Sequence, residues 1–235
     1  MAARKSKDQA RKPITRDEVV SAALEVIDTE GFHALSMRGV ARKLGVYPTT
    51  LYWHAGTKAE LLALVCERVL DEIEYPDDDL RPWQEWLFLF GVRARQVLGA
   101  HPRFAAYFVT NIQVSTTSLT MVEKCLAVLD RAGFHGEGAV RAYNAVMGSI
   151  FGWISGEFAA EPDDTDGKVE QEFRTQLAEV DRDTIRAYLP HLENRAYMMR
   201  WSSGSAAPMG SSFELMLHSL LLGLSAELER QQASA

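Results

Sequence analysis

Apolar side chains recur three and four residues apart along almost the whole chain. No stretch alternates apolar with polar positions between hairpin turns, so the pattern predicts an all-α fold. A first helix opens at Thr15, where Glu18 three places on completes a capping box. Val19, Ala22, Ala23, Val26 and Ile27 form its apolar face before Gly31 stops it. Ser36 caps a second, short helix whose Val40, Ala41 and Leu44 face inward and which ends at Gly45. Val46 and Leu51 are the next inward positions. A third helix runs from Pro48 to His54, with proline in the first turn, where its missing N–H costs nothing. Thr57 and Glu60 repeat the capping box and open a fourth helix to about Ile73, apolar along Leu61, Leu64, Val65 and Leu70.

An acidic turn, Tyr75 to Asp79, is the expected boundary between this N-terminal unit and a larger body. Helical spacing resumes from Pro82 to about Gly99, breaks at His101-Pro102, continues to about Asn111, and returns over 115–132 and 137–160. Residues 162–212 carry the weakest pattern: a charged stretch, a helix around Arg182 to Met198, and a run of small residues from Ser202 to Ser212. The last helix, Phe213 to Arg230, is the most apolar, with Phe213, Leu217, Leu220, Leu221, Leu224 and Leu228 in register and Met216 and Leu222 widening the stripe. The predicted organisation is a basic arm (1–14), a three-helix head (15–60) and a helical body (61–235).

Charge sharpens this division. The net charge of −7 conceals ten Lys/Arg against six Asp/Glu in residues 1–58, a balance of +4, and fifteen against twenty-six in the remainder, a balance of −11. One end can meet phosphate while the rest is repelled by it. With 235 residues, 47% of them hydrophobic, the chain can bury a sizeable core. It has no apolar run of membrane-spanning length and no apolar stretch behind the basic N-terminus, so cytoplasm is the expected compartment. Cys66 and Cys125 lie in helical patterns without metal-binding spacing, and reduced, buried thiols are expected.

Two helices joined at a four-residue corner around Gly45, the second short and polar between its core positions, form the pattern that presents a helix to the DNA major groove. Spacing alone leaves open a helical corner that merely packs. On the DNA-binding reading, Leu51 and Trp53 anchor the third helix, and Tyr47, Pro48, Thr49, Thr50, Tyr52 and His54 are distributed around its outer side. Hydroxyls and imidazole can meet phosphates or base edges. Arg38 can reach a guanine edge or clamp a phosphate, Ser36 sits at the same helix start, and Lys58 lies at a helix N-terminus that favours phosphate.

The run Ser36-Met37-Arg38-Gly39-Val40-Ala41-Arg42-Lys43-Leu44-Gly45-Val46, continuing through Thr50-Leu51-Tyr52-Trp53-His54 to Lys58-Ala59-Glu60-Leu61-Leu62, resembles the signature of the tetracycline-repressor (TetR) family of bacterial transcriptional regulators. The resemblance implies a three-helix DNA-binding head, a connecting fourth helix, and a body that dimerises and holds an effector. It also assigns Arg38, the 47–54 helix and Lys58 to operator DNA. Trp83-Gln84, Leu129 to Phe134 and Ala139 to Met147 resemble the tetracycline-repressor branch more faintly. That branch chelates a drug-bound magnesium through a histidine. Carried ungapped from Trp83, the position falls on Phe108, which cannot ligate a metal, so no metal or other cofactor is expected.

The middle of the chain is rich in aromatic and methionine side chains that could line an effector cavity or serve only as core. The candidate lining is Phe90, His101, Phe104, Phe108, Asn111, Asn144, Met147 and Phe151, apolar walls with a few polar groups. The last helix has too broad an apolar face for a monomer. Pairing the 137–160 and 213–230 helices across a two-fold axis would bury it, with Gly148, Gly152, Gly156 and Gly223 allowing close approach unless they only accommodate neighbours within the chain. Such a homodimer also matches a palindromic operator. The expected function is therefore a ligand-responsive regulator that represses from a palindromic operator and is released by a small, partly apolar effector. An effector-independent DNA-binding protein is the alternative. An enzyme is disfavoured, because the sequence has no GxSxG, no HExxH and no glycine-rich phosphate loop.

Overall fold

Side-chain caps and left-handed glycines set the first four helices. In the computed structural model, which describes residues 13–77, 81–108, 116–159, 168–179, 182–192 and 209–233, α1 (Arg16–Glu30) opens on the expected reciprocal cap. Thr15 Oγ1 accepts from the Glu18 N–H at 3.2 Å, and Glu18 Oε2 accepts from the Thr15 N–H at 2.8 Å. A single 3₁₀ turn (Phe32–Ala34), which the periodicity does not reveal, links α1 to α2 (Met37–Leu44). Gly45 then adopts φ 64°, ψ 35°, and the Val46 N–H returns to the Ala41 carbonyl at 2.9 Å, turning the chain into α3 (Pro48–Ala55). Thr57 caps α4 (Lys58–Asp71). Val19, Ala23, Ile27, Val40, Leu51, Leu61 and Val65 are all sealed from solvent, and α1 packs against each of α2, α3 and α4.

The body comprises α5 (Trp83–Ala100), α6 (Pro102–Phe108), α7 (Thr116–Ala132), α8 (Glu137–Glu157), α9 (Lys168–Ala178), α10 (Asp183–Leu192) and α11 (Gly210–Ala233). α5 is central and packs against α6, α7, α8 and α11. At Gly91 a Cβ would stand 2.5 Å from Leu217 Cδ2 and 3.0 Å from Ile150 Cδ1, so the missing side chain lets α5 lie close to α8 and α11. α9 falls in the charged stretch where no helix is predicted. α10 starts at Asp183, close to the expected 182. Asn111, residues 193–198 and most of the small-residue run lie outside the described residues.

α4 belongs to both halves, packing on α1 and α3 on one side and on α5 and α7 on the other. The turn expected as a boundary is also fastened to the body. Tyr75 stacks on Trp86 and Phe90 with centroids at 6.4 and 5.9 Å, Trp86 Nε1 donates to the Pro76 carbonyl at 2.9 Å, and Arg93 Nη1 donates to the Glu74 carbonyl at 2.9 Å. Burial pushes the Tyr75 hydroxyl up to about 12.

One carboxylate is enclosed in the body. Glu157, fully buried, accepts from Arg95 Nε at 2.8 Å, Arg95 Nη2 at 2.5 Å, Trp153 Nε1 at 3.1 Å and the Met209 N–H at 3.0 Å. The Arg95 guanidinium lies over the Phe213 and Phe158 rings, at 5.6 and 6.0 Å. This cluster ties α5, the end of α8 and the start of α11 together. Burying it is tolerable because both charges are paired and hydrogen-bonded.

Candidate nucleic-acid interface

Leu51 and Ala55, one turn apart, are the buried residues of α3. They fix the rotation of this helix and leave Tyr47 81% and Tyr52 53% exposed, Thr49 exposed, and Pro48, Thr50 and His54 half-buried. Trp53 departs from expectation. It is 84% exposed and anchors nothing in the core. Two residues on from Leu51 is about 200° around a helix, so the two side chains cannot share a face. Trp53 instead stands with its ring edge-on to His54 at 5.1 Å, adding an aromatic surface to the outer side of α3. Its alternation with Leu51 is the signal that could have revealed this.

Ser36 acts as the cap of α2, its Oγ accepting from the Gly39 N–H at 3.0 Å. Arg38 is exposed in the first turn of that helix. Lys43 pairs with Glu25 of α1 at 2.7 Å and so is drawn back onto the head's own surface. At Gly56 the backbone takes φ 62°, ψ −130°, a left-handed conformation that side chains rarely adopt, and a Cβ there would also press on the Glu60 carboxylate, so the α3–α4 corner favours glycine. The Thr57 N–H donates to Glu60 Oε2 at 2.6 Å, and Thr57 Oγ1 accepts from the Glu60 N–H at 3.2 Å. The backbone hydrogen bond from Thr57, with its hydroxyl second, holds the Glu60 carboxyl below its ordinary value. Lys58 is exposed in the first turn of α4, at the positive end of the helix dipole, with its ammonium 5.5 Å from the Phe32 ring centroid. The exposed groups of α2, α3 and the α4 start thus sit on three helices that pack on one another, and they can offer a cation, hydroxyls and aromatic edges to a polyanion.

In the body, Phe104, Phe108 and Phe151 come together. Phe104 is buried and stacks on Phe108 at 5.8 Å, and Phe108 meets Phe151 edge-on at 5.8 Å. Met147 is buried one turn before Phe151 on α8. The other candidates lie elsewhere. Phe90 is enclosed beside Tyr75 and Trp86, Asn144 is exposed, and His101 Nδ1 lies 2.7 Å from Asp28 Oδ2 of α1. Phe108 packs against the Phe104 and Phe151 rings, and its own side chain offers no donor to a magnesium ion. Among the described residues no group of three or more His, Cys, Asp or Glu could hold a metal. Burial pushes the Cys66 thiol up to about 11, with the Glu67 charge second, and burial alone pushes the Cys125 thiol up to about 12. Neither is poised as a nucleophile. No helix among the described residues is long and apolar enough to cross a membrane.

Comparison with known proteins agrees with both halves. Residues 19–65 match the family model of bacterial regulatory proteins of the tetR family, and residues 75–228 match the tetracyclin repressor-like C-terminal domain. An HTH-type transcriptional regulator of Saccharopolyspora erythraea is 35% identical over 155 residues, 66% of each chain. The tetracycline repressor protein class E of Escherichia coli is 24% identical over 221 residues, 93% of this chain and 94% of the repressor. Among solved structures, the Streptomyces coelicolor TetR family protein ActR in complex with actinorhodin has a TM-score of 0.69 at 25% identity, covering 92% of this chain and 98% of ActR. The chain belongs to the TetR family of transcriptional regulators, with a tetracycline-repressor-like C-terminal domain.

Proposed function

We propose that the protein is a ligand-responsive repressor that binds a palindromic operator as a homodimer, with residues 15–60 as the DNA-binding head and 61–235 as the effector-binding and dimerising body. The observation that carries the reading is the rotation of α3. Leu51 and Ala55 hold it in the core while Tyr47, Thr49, Tyr52 and Trp53 stand in solvent, a disposition suited to major-groove contact. Arg38 and Lys58 flank this face. Ser36, Pro48, Thr50 and His54 complete the proposed DNA surface, and Trp53 joins it as an apolar contact.

The proposed dimer seam is α8 with α11. Both leave large apolar side chains in water, Val140 on α8 and Leu215 and Leu222 on α11. A Cβ built on Gly148 or Gly223 would meet nothing within 4 Å among the described residues, so these glycines do not make room for any neighbour described there. That supports a partner helix approaching there, and two heads about one helical turn or a multiple apart would fit a palindrome. The effector cavity is proposed around Phe104, Phe108, Met147 and Phe151. The ActR–actinorhodin complex supports a small-molecule effector for this chain. Such an effector acts by binding the DNA-incompetent state more tightly, by about 1–3 kcal/mol or more.

The reading is tested by selecting an operator from random DNA and titrating it with wild-type, Arg38→Ala and Tyr52→Ala proteins. Both substitutions are expected to weaken binding at least 10-fold, and a palindromic consensus is expected to emerge. Unchanged binding by both proteins would refute the DNA face. A compound that raises Tm without changing operator affinity would refute the coupling.

A further inference from the structure

α6 has two faces that address different parts of the molecule. Phe104 and Phe108, one turn apart, pack in the body with Phe151. Arg103 and Tyr107, also one turn apart, reach the head. Arg103 Nη1 donates to the main-chain carbonyls of Asp28, at 3.3 Å, and of Thr29, in the last turn of α1. These carbonyls carry the negative end of the helix dipole and lack partners within the helix, so a guanidinium is well matched to them. His101, immediately before α6, adds its contact to the Asp28 carboxylate. Tyr107 stacks on Phe32 of the 3₁₀ turn with centroids 3.4 Å apart and planes 13° from parallel. The same Phe32 ring has the Lys58 ammonium 5.5 Å from its centroid.

We infer that Tyr107 is a positioning residue for DNA binding: by stacking on Phe32 it sets where the Lys58 ammonium stands. The inference rests on the proposed reading of Lys58 as a phosphate contact. Over the two turns of α6 that the structure describes, body-facing and head-facing side chains alternate along one piece of backbone. A shift of Phe108 therefore displaces Tyr107 with it. Phe32 then moves against Lys58 without any change in α3.

The test uses the full-length protein and the selected operator, with Kd measured over a series of NaCl concentrations. Lys58→Ala removes one phosphate contact per head, which at 0.15 M salt is about 5-fold per contact and about 30-fold for the dimer, and it lowers the log–log salt slope by about 2. Tyr107→Ala is expected to lower the slope in the same direction. The double variant Tyr107→Ala/Lys58→Ala should bind as Lys58→Ala does, within about 2-fold, because the two changes remove one contact. Tyr107→Phe keeps the stack and should behave as wild type. Phe32→Leu keeps apolar bulk but removes the ring beneath Lys58, and it should reproduce the slope change even if Tyr107→Ala folds poorly. A loss of affinity with an unchanged slope, or losses that multiply in the double variant, would overturn the inference while leaving the DNA face intact. Arg38→Ala and Tyr52→Ala proteins that both bind as wild type would remove the DNA face itself, and the inference with it.

Discussion

Replacing Glu157 by alanine is expected to be the most damaging single change to the body outside its apolar core. The carboxylate is fully buried and accepts four N–H groups, two from Arg95, one from Trp153 and one from the Met209 backbone. The Arg95 side chain is only 18% exposed, so Glu157→Ala leaves a nearly buried guanidinium without its counter-charge. Removing one member of such a pair costs about 3–5 kcal/mol. The upper end applies, because the Met209 N–H also loses its acceptor in a buried setting. For a chain of this length that lowers Tm by about 10–20 °C. The assay is urea unfolding at one fixed protomer concentration, since dimerisation makes the midpoint concentration-dependent. A second protein, Arg95→Met/Glu157→Leu, separates the causes. With both charges gone and an apolar chain set between the Phe158 and Phe213 rings, most of the stability should return. A loss below about 1 kcal/mol in Glu157→Ala, or a double variant as unstable as the single, would refute the reasoning, because unpaired charge would not be the source of the cost.

Three further outcomes follow from the head and the thiols. Gly56→Ala forces a side chain into φ 62° and against Glu60, and should cost about 1–3 kcal/mol by urea melt while weakening operator binding through the disturbed α3–α4 corner. Trp53→Ala should leave stability within about 0.5 kcal/mol yet weaken operator binding, whereas Leu51→Ala should cost about 2–5 kcal/mol, and a destabilised Trp53→Ala protein would return that ring to the core. Cys66 and Cys125 are raised by burial from 9.0 to about 11 and about 12, so the native chain keeps protons that the unfolded chain releases. Their contribution to stability is complete below pH 9 and lost as pH climbs through 11 and 12, and neither thiol should react with a disulfide reagent at pH 8 until the protein is denatured.

What was legible in the sequence is what short-range chemistry decides. The caps at Thr15, Ser36 and Thr57 bond within three residues, and Gly45 closes a turn on its own helix, so each could be recognised without knowing the fold. The core faces of α1, α4 and α11 followed from spacing for the same reason. Trp53 departs from the apolar pattern because hydrophobicity alone does not give its direction, and an angle of about 200° from Leu51 turns it out of the core. α9 was missed because Val169, Phe173 and Leu177 make a sparse stripe among charges, and none of them is fully buried. The role of His101 could not be found in this way. Its partner Asp28 is 73 positions away, and only the approach of α6 to the end of α1 brings them together. Glu157 gave no local sign of burial either, because the cation that makes it tolerable is on α5 and the backbone group that completes it begins α11.

The hold of Glu157 on the Met209 N–H also bears on how this protein can vary. A single carboxylate joins the end of α8 to the residue that precedes α11. The two ends of the span between them are therefore held together. Lengthening a connection whose ends are joined is cheap, about 0.6 kcal/mol for each doubling of its length where it is a loop. Insertions and deletions should therefore accumulate between residues 158 and 208 with little effect on the rest of the body. A chimera that exchanges this span between relatives should fold, provided its junctions fall inside those two anchors.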